Sequence, residues 1–163
     1  MKAGLLAAAA ALGLSTRPLA AQAGTYEIPL APTASAPAAS GHARLHFAAS
    51  PFGIAVTADG RASYDVAITL AGLPSPASLG REGTPAILAW AVSPDLAEWQ
   101  RLGPVGTGTT TLGPIEWNKF LLVITAEPSA DAATHRGPIL LRGYSPSTWL
   151  QSFITHPLFR GVN

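Results

Sequence analysis

A chain of 163 residues, 48% hydrophobic and 12% charged, with 16 glycines, 15 prolines and no cysteine, has room for one ordinary domain and offers no thiol chemistry. So little charge beside so many aliphatic residues excludes a solvated disordered chain and fits strands separated by tight turns. Without Lys2 and Arg17, which fall in an expected leader, eight basic residues face nine acidic ones; a net charge of −1 excludes nucleic acid and electrostatic attachment to anionic lipid.

Residues 1–23 read as a secretory signal peptide. Met1 and Lys2 supply the positive end, residues 3–14 an apolar run, and Ala21-Gln22-Ala23 a small-x-small site before Gly24. Such a run makes roughly 18 Å of helix against a hydrocarbon core of roughly 30 Å, so a spanning anchor is the weaker reading. The mature chain is expected outside the cytoplasm, in the periplasm or its equivalent.

Residues 24–41 read as an N-terminal segment and linker. The alternation over 25–30 allows a short strand, and Pro29 assigns it to a sheet edge because proline cannot donate to a ladder. Residues 31–41, APTASAPAASG, have the small, uncharged, proline-bearing composition of a linker. The β domain then runs from 42 to 143. Residues 42–47 alternate, with Ala43, Leu45 and Phe47 on one face and His42, Arg44 and His46 on the other. Residues 52–56 predict a strand, Asp59-Gly60 a hairpin turn, and residues 61–70 its partner, with Tyr64, Val66, Ile68 and Leu70 on one face. Residues 85–92, nearly all apolar, predict a buried strand, and another begins at Trp99. The echo of Leu102-Gly103-Pro104-Val105 in Leu112-Gly113-Pro114-Ile115 predicts a hairpin with matching strand exits.

The densest β-forming run follows. Residues 120–125, FLLVIT, suit a strand buried on both faces. Glu127 and Pro128 stop it, and Gly137 and Pro138 start the next strand at Ile139-Leu140-Leu141. Glu127, Pro128, Gly137 and Pro138 are therefore the structural residues of this loop; a carboxylate at a strand exit binds loop backbone N–H groups and fixes residues 128–135. About eight strands and no long helical period predict an all-β fold, an immunoglobulin-like two-sheet sandwich.

Residues 144–163 form an aromatic tail, read as a short C-terminal helix or an extended segment. Ser145 can cap a helix with Pro146 at its first position, which sets Trp149, Leu150, Phe153 and Ile154 on one face, with Phe159 beyond Pro157. One reading folds this tail over its own domain. The other makes Trp149, Leu150, Phe153, Ile154 and Phe159 anchors for another protein or for a membrane surface, since exposed aromatic side chains are costly alone.

Reactive constellations are missing from the pattern. His42 and His46 would be about 13 Å apart on a strand, too far to share one ion, and His135 and His156 have no carboxylate at metal-site spacing, so no metal is expected. Gly143-Tyr144-Ser145-Pro146-Ser147 departs from a nucleophile elbow at its last position. The glycines at 103, 106 and 108 match no phosphate-binding spacing. The chain reads as no enzyme and needs no cofactor.

Residues 87–143 resemble the C-terminal extracytoplasmic domain of the anti-sigma-K factors. The likeness lies in Ala89-Trp90-Ala91-Val92, Leu102-Gly103, residues 123–129 (VITAEPS) and residues 137–143 (GPILLRG). It implies a small exported β-sandwich. It does not imply sigma-factor control, because no sigma-binding region or connecting transmembrane helix is read in the chain. A general likeness to membrane-extrinsic subunits makes a photosynthetic reaction centre–light-harvesting complex one candidate assembly. The expected function is thus a structural or interaction subunit on the extracytoplasmic face of a membrane complex, peripheral and not spanning, with other protein subunits as partners. The alternative is an extracytoplasmic sensor that binds a small molecule or a metal through His42, His46 and nearby sheet residues.

Overall fold

The computed structural model describes residues 26–50, 53–54, 57–58, 61, 63–75, 78 and 86–146. Within them lie ten strands: β1 (Tyr26–Pro32), β2 (Ser40–Phe47), β3 (Ala49–Ser50), β4 (Gly53–Ile54), β5 (Tyr64–Ala71), β6 (Ala86–Val92), β7 (Trp99–Pro104), β8 (Gly108–Ile115), β9 (Leu121–Glu127) and β10 (Ile139–Tyr144). The fold is all-β. No helix among the described residues is long and apolar enough to cross a membrane.

Eight strands pair antiparallel in the order β7-β6-β9-β10-β1-β2-β5-β8, and β3 pairs with β4 as a separate small hairpin. Strands β7 and β8, at the two ends of this order, are consecutive in the chain. They approach closely enough for the Gln100 side-chain amide to donate to the Pro114 carbonyl at 3.2 Å. The sheet is therefore one nearly closed, barrel-like surface, where two separate sheets were expected. The expected β7–β8 hairpin does not form. Each strand pairs elsewhere instead, β7 with the buried β6 and β8 with the amphipathic β5.

Strand β1 is the reason for the single sheet. Its Tyr26 to Leu30 pair with β2, while Ala31 and Pro32 pair with β10. This change of partner joins the two halves. It also puts β1 in the interior of the sheet, correcting its assignment to an edge. Pro29 is tolerated because it sits opposite His42 on the stretch that pairs with β2 alone, before the ladder to β10 begins. The segment read as a linker is likewise part of the body. Residues 31–32 are strand, and the turns after them bury Ala36 and Ala39 in the core.

Alternation explains the core. On β2 and β5 the buried Ala43, Leu45, Val66, Ile68 and Leu70 face inward, with Arg44 and His46 outside. On β6 and β9 nearly every residue is buried, because both faces are covered. A register shift between Ile139 and Leu141 in β10 allows the adjacent Leu140 and Leu141 both to reach the main core. In the predicted strand over 52–56, Gly53 and Ile54 pair with β3 and not with the expected partner 61–70, whose strand β5 lies between β2 and β8; the rest of 52–56 and the Asp59-Gly60 turn lie outside the described residues. Arg61 and Thr57 bracket that turn through the Thr57 N–H and the Arg61 carbonyl at 2.8 Å.

Where β1 crosses β10 the backbones approach so closely that only glycine fits. A Cβ on Gly143 would lie 2.6 Å from Ile28 Cγ2 and 2.7 Å from the Pro29 carbonyl oxygen. Gly143→Ala is expected to cost about 1–3 kcal/mol through overpacking, read as a lower urea midpoint; an unchanged midpoint would show that β1 does not press on β10 here.

Candidate functional site

Two features merit a functional reading: a polar network on the outer face of β6 and β9, and an apolar groove between β1 and β10. The network arises from strand periodicity. Ile87, Ala89, Ala91, Leu122, Ile124 and Ala126 face the main core, so Leu88, Trp90, Val92 and Val123 must face out, where they form a second buried cluster. Thr125 and Glu127 share that outer face by the same alternation. The loop over 128–138 covers it, with Ala132, Ile139 and Trp99 packed against the cluster.

Glu127, the last residue of β9, is fully buried. Its Oε2 accepts the backbone N–H groups of Arg136 at 3.1 Å and Gly137 at 3.0 Å, and its Oε1 lies 3.1 Å from His135 Nδ1. The Thr125 hydroxyl donates to the same carboxylate and accepts the Trp90 indole N–H at 2.8 Å. His135 stacks on Trp99, with ring centroids 4.4 Å apart and planes 12° apart, and Trp99 meets Trp90 edge to face at 6.2 Å. The five residues thus close a ring around the loop's attachment point.

Burying a carboxylate costs several kcal/mol. Each charge-assisted hydrogen bond returns about 1.5–3 kcal/mol, and four donors converge here, so the ionised form is favoured. Burial raises the pKa of Glu127, but the hydrogen bonds from Thr125, His135, Arg136 and Gly137 outweigh it and hold the carboxyl below its ordinary value. An ionised Glu127 can only accept, so His135 Nδ1 carries the proton between them. Both carboxylate oxygens are thereby occupied, and the group's chemistry is to hold a loop. Gly137 is required beside it, since a Cβ there would come 1.8 Å from the Ala126 carbonyl oxygen. Pro138 accepts the Ala126 N–H at 3.1 Å, and Pro128 leaves the strand as an exposed residue.

The groove, of about 800 Å³, is lined by Pro29, Leu30, Ala31, Gly143, Tyr144 and Pro146, with Glu27 and Arg142 as its charged members. It opens where β1 leaves β10. Tyr144 is 51% exposed and Tyr26 41%, and Tyr26, Phe47 and Tyr64 cluster nearby with centroids 5.0–6.2 Å apart. Ser145, expected as a helix cap, is buried and accepts the Phe120 N–H through its hydroxyl at 3.1 Å, extending the contact of β10 with the start of β9. Trp149, Leu150, Phe153, Ile154 and Phe159 lie outside the described residues.

His42 and His46 stand on β2 opposite Thr69 and Asp65. Among the described residues no three histidine, cysteine, aspartate or glutamate side chains gather as a metal site. A smaller recess of about 210 Å³ is lined by Arg61, Ser93, Glu98, Trp117, Asn118 and Lys119. Sequence reasoning placed Glu127 on the loop but missed its pairing with His135, eight residues on, and missed Trp90 and Trp99. The visible signal was two tryptophans on strands flanking a turn, which periodicity alone cannot bring together. Comparison with protein-family models, with curated proteins and with solved structures returned no match.

Thr125→Val removes a donor to Glu127 and the acceptor of the buried Trp90 N–H, and is expected to cost about 1–3 kcal/mol in urea unfolding. The Glu127 contribution has a defined pH sign. Its folded pKa lies below the ordinary glutamate value, so its stabilisation is full above that ordinary value and is lost as pH falls through the folded one. Global stability should therefore fall with acid in the wild type and less so in Glu127→Gln.

Proposed function

We propose that this chain is a non-enzymatic, exported structural subunit that grips another protein of a membrane-associated complex from the extracytoplasmic face. The observation that carries this reading is the apolar groove between β1 and β10, edged by the exposed Tyr144. Pro146, in its lining, leads directly into residues 147–163, with their five apolar anchors. The groove offers an aromatic and aliphatic surface of the kind that interface cores use, and the sequence after Pro146 adds further aromatic and aliphatic residues. The buried carboxylate, with its oxygens already occupied, supports a holding role over a reactive one. A photosynthetic reaction centre–light-harvesting complex is the candidate assembly, on the general likeness to membrane-extrinsic subunits noted from the sequence. The immunoglobulin-like sandwich belongs to the same reading: the change of partner in β1 divides the strands into a β7-β6-β9-β10 half and a β1-β2-β5-β8 half facing one core.

A second reading, a small-molecule sensor, draws on the recess beside Trp117, where Arg61 and Lys119 stand with Glu98 and Asn118. Mixed charge beside an indole suits a small zwitterion or a sugar.

A photo-crosslinking side chain in place of Tyr144, in the chain's own cells, separates the two. The subunit reading predicts one covalent protein adduct, lost when residues 147–163 are deleted. A chain that crosslinks to nothing and sediments alone with or without those residues contradicts it.

A further inference from the structure

The outer face of β6 and β9 is covered in an unusual way. Leu88, Trp90, Val92 and Val123 form an apolar surface separate from the main core. From the interior of the 128–138 loop, the aliphatic contact made with this surface is that of Ala132. A methyl group removes little apolar area from water, so hydrophobic burial holds this loop weakly. Its attachment is polar and concentrated. Glu127 takes the N–H groups of Arg136 and Gly137 and pairs with His135, which lies flat on Trp99. Other bonds are fewer: Arg101 of β7 donates to the Ala130 carbonyl, the Ala126 N–H reaches the Pro138 carbonyl, and within the loop Ser129 accepts the Asp131 N–H on Oγ and the Ala132 N–H on its carbonyl.

We propose that residues 128–138 are a strap that opens as a unit when the Glu127 carboxylate is neutralised, uncovering the Trp90 face of β6 and β9 while the eight-stranded sheet stays closed. The sheet is independent of this anchor. Its ladders run through β10, β1, β2, β5 and β8, and β6 pairs with β9 through seven consecutive residues without using the strap. The groups that bond Glu127 are Thr125 from β9 and His135, Arg136 and Gly137 from the strap, with Trp90 of β6 held through Thr125 and Trp99 of β7 through His135; the charged Arg101 of β7 reaches the Ala130 carbonyl of the strap instead. Neutralisation turns the strongest acceptor among them into a weak one, and the two backbone N–H groups then gain as much from water. Because the folded carboxyl titrates below its ordinary value, opening sets in on the acid side of that value.

Amide hydrogen exchange on the full chain, corrected for intrinsic rates, tests this. In Glu127→Gln at pH 7 the amides of residues 129–137 should exchange about tenfold faster than in the wild type and far faster than those of β2, β5 and β9, which the closed sheet still protects. The wild type should show the same local acceleration on acidification, together with a red shift of tryptophan emission before the far-ultraviolet sheet signal is lost. Strap amides that remain as strongly protected as those of the sheet, or a strap indifferent to both changes, would overturn the proposal. If Glu127→Gln does not fold, the wild-type acid series decides alone.

Discussion

The structure depends on one constraint: β6 and β9 carry apolar side chains on both faces, so each face needs a cover. One face is met by the inward residues of β1, β2, β5 and β10, which close around it as a single sheet. The other is met by Trp99 of β7, Ile139 of β10 and a loop whose aliphatic contact with it, among the described residues, is Ala132. A cover of that kind has to be fixed by polar bonds, and in a buried place polar bonds are worth most when every member is satisfied. Among the described residues no buried side-chain nitrogen or oxygen is left without a hydrogen-bond partner. Glu127 is the member that the rest of the network is arranged around.

The same closure explains where the surface is left apolar. A sheet that joins its halves through one strand must let that strand part from one neighbour, and β1 meets β10 at Ala31 and Pro32 but not over Tyr26 to Leu30. The gap beside that stretch is lined by the buried Leu30 and by Pro29 and Tyr144, which stay exposed. By contrast, the outer face of β2 carries Arg44 paired with Glu27 of β1 at 3.8 Å, both half exposed, a contact worth little and suited to water. The apolar groove and the charged wall thus have separate physical origins. In the proposed reading only the groove meets a partner.

Strands were legible because their signals are local. The two-faced burial of 120–125, the stop at Glu127 and Pro128, the restart at Ile139 and the alternation through Val66, Ile68 and Leu70 all follow from side-chain period and proline chemistry. Partnership was not legible. Pro29 argued correctly that a ladder is interrupted beside it, yet the interruption is local to one side of an interior strand. Residues 31–41 have linker composition, but small side chains also suit tight turns, where Ala36 and Ala39 are buried. The echo around Gly103 and Gly113 showed two similar strand exits, and nothing in a short echo says whether the strands pair. Of the network, Glu127 could be placed by its position at a strand exit. His135 and Trp99 could not, because their contact joins residues 36 positions apart through a stacking geometry that no spacing encodes.

The claim that this body exists to hold another protein meets its most direct test in a native mass spectrum of the chain taken gently from its own membranes. The account predicts a mass that exceeds the single chain by at least one further polypeptide, with the free chain appearing when apolar contacts are disrupted by detergent. A lone monomer under the gentlest conditions, with nothing eluting beside it, would contradict it.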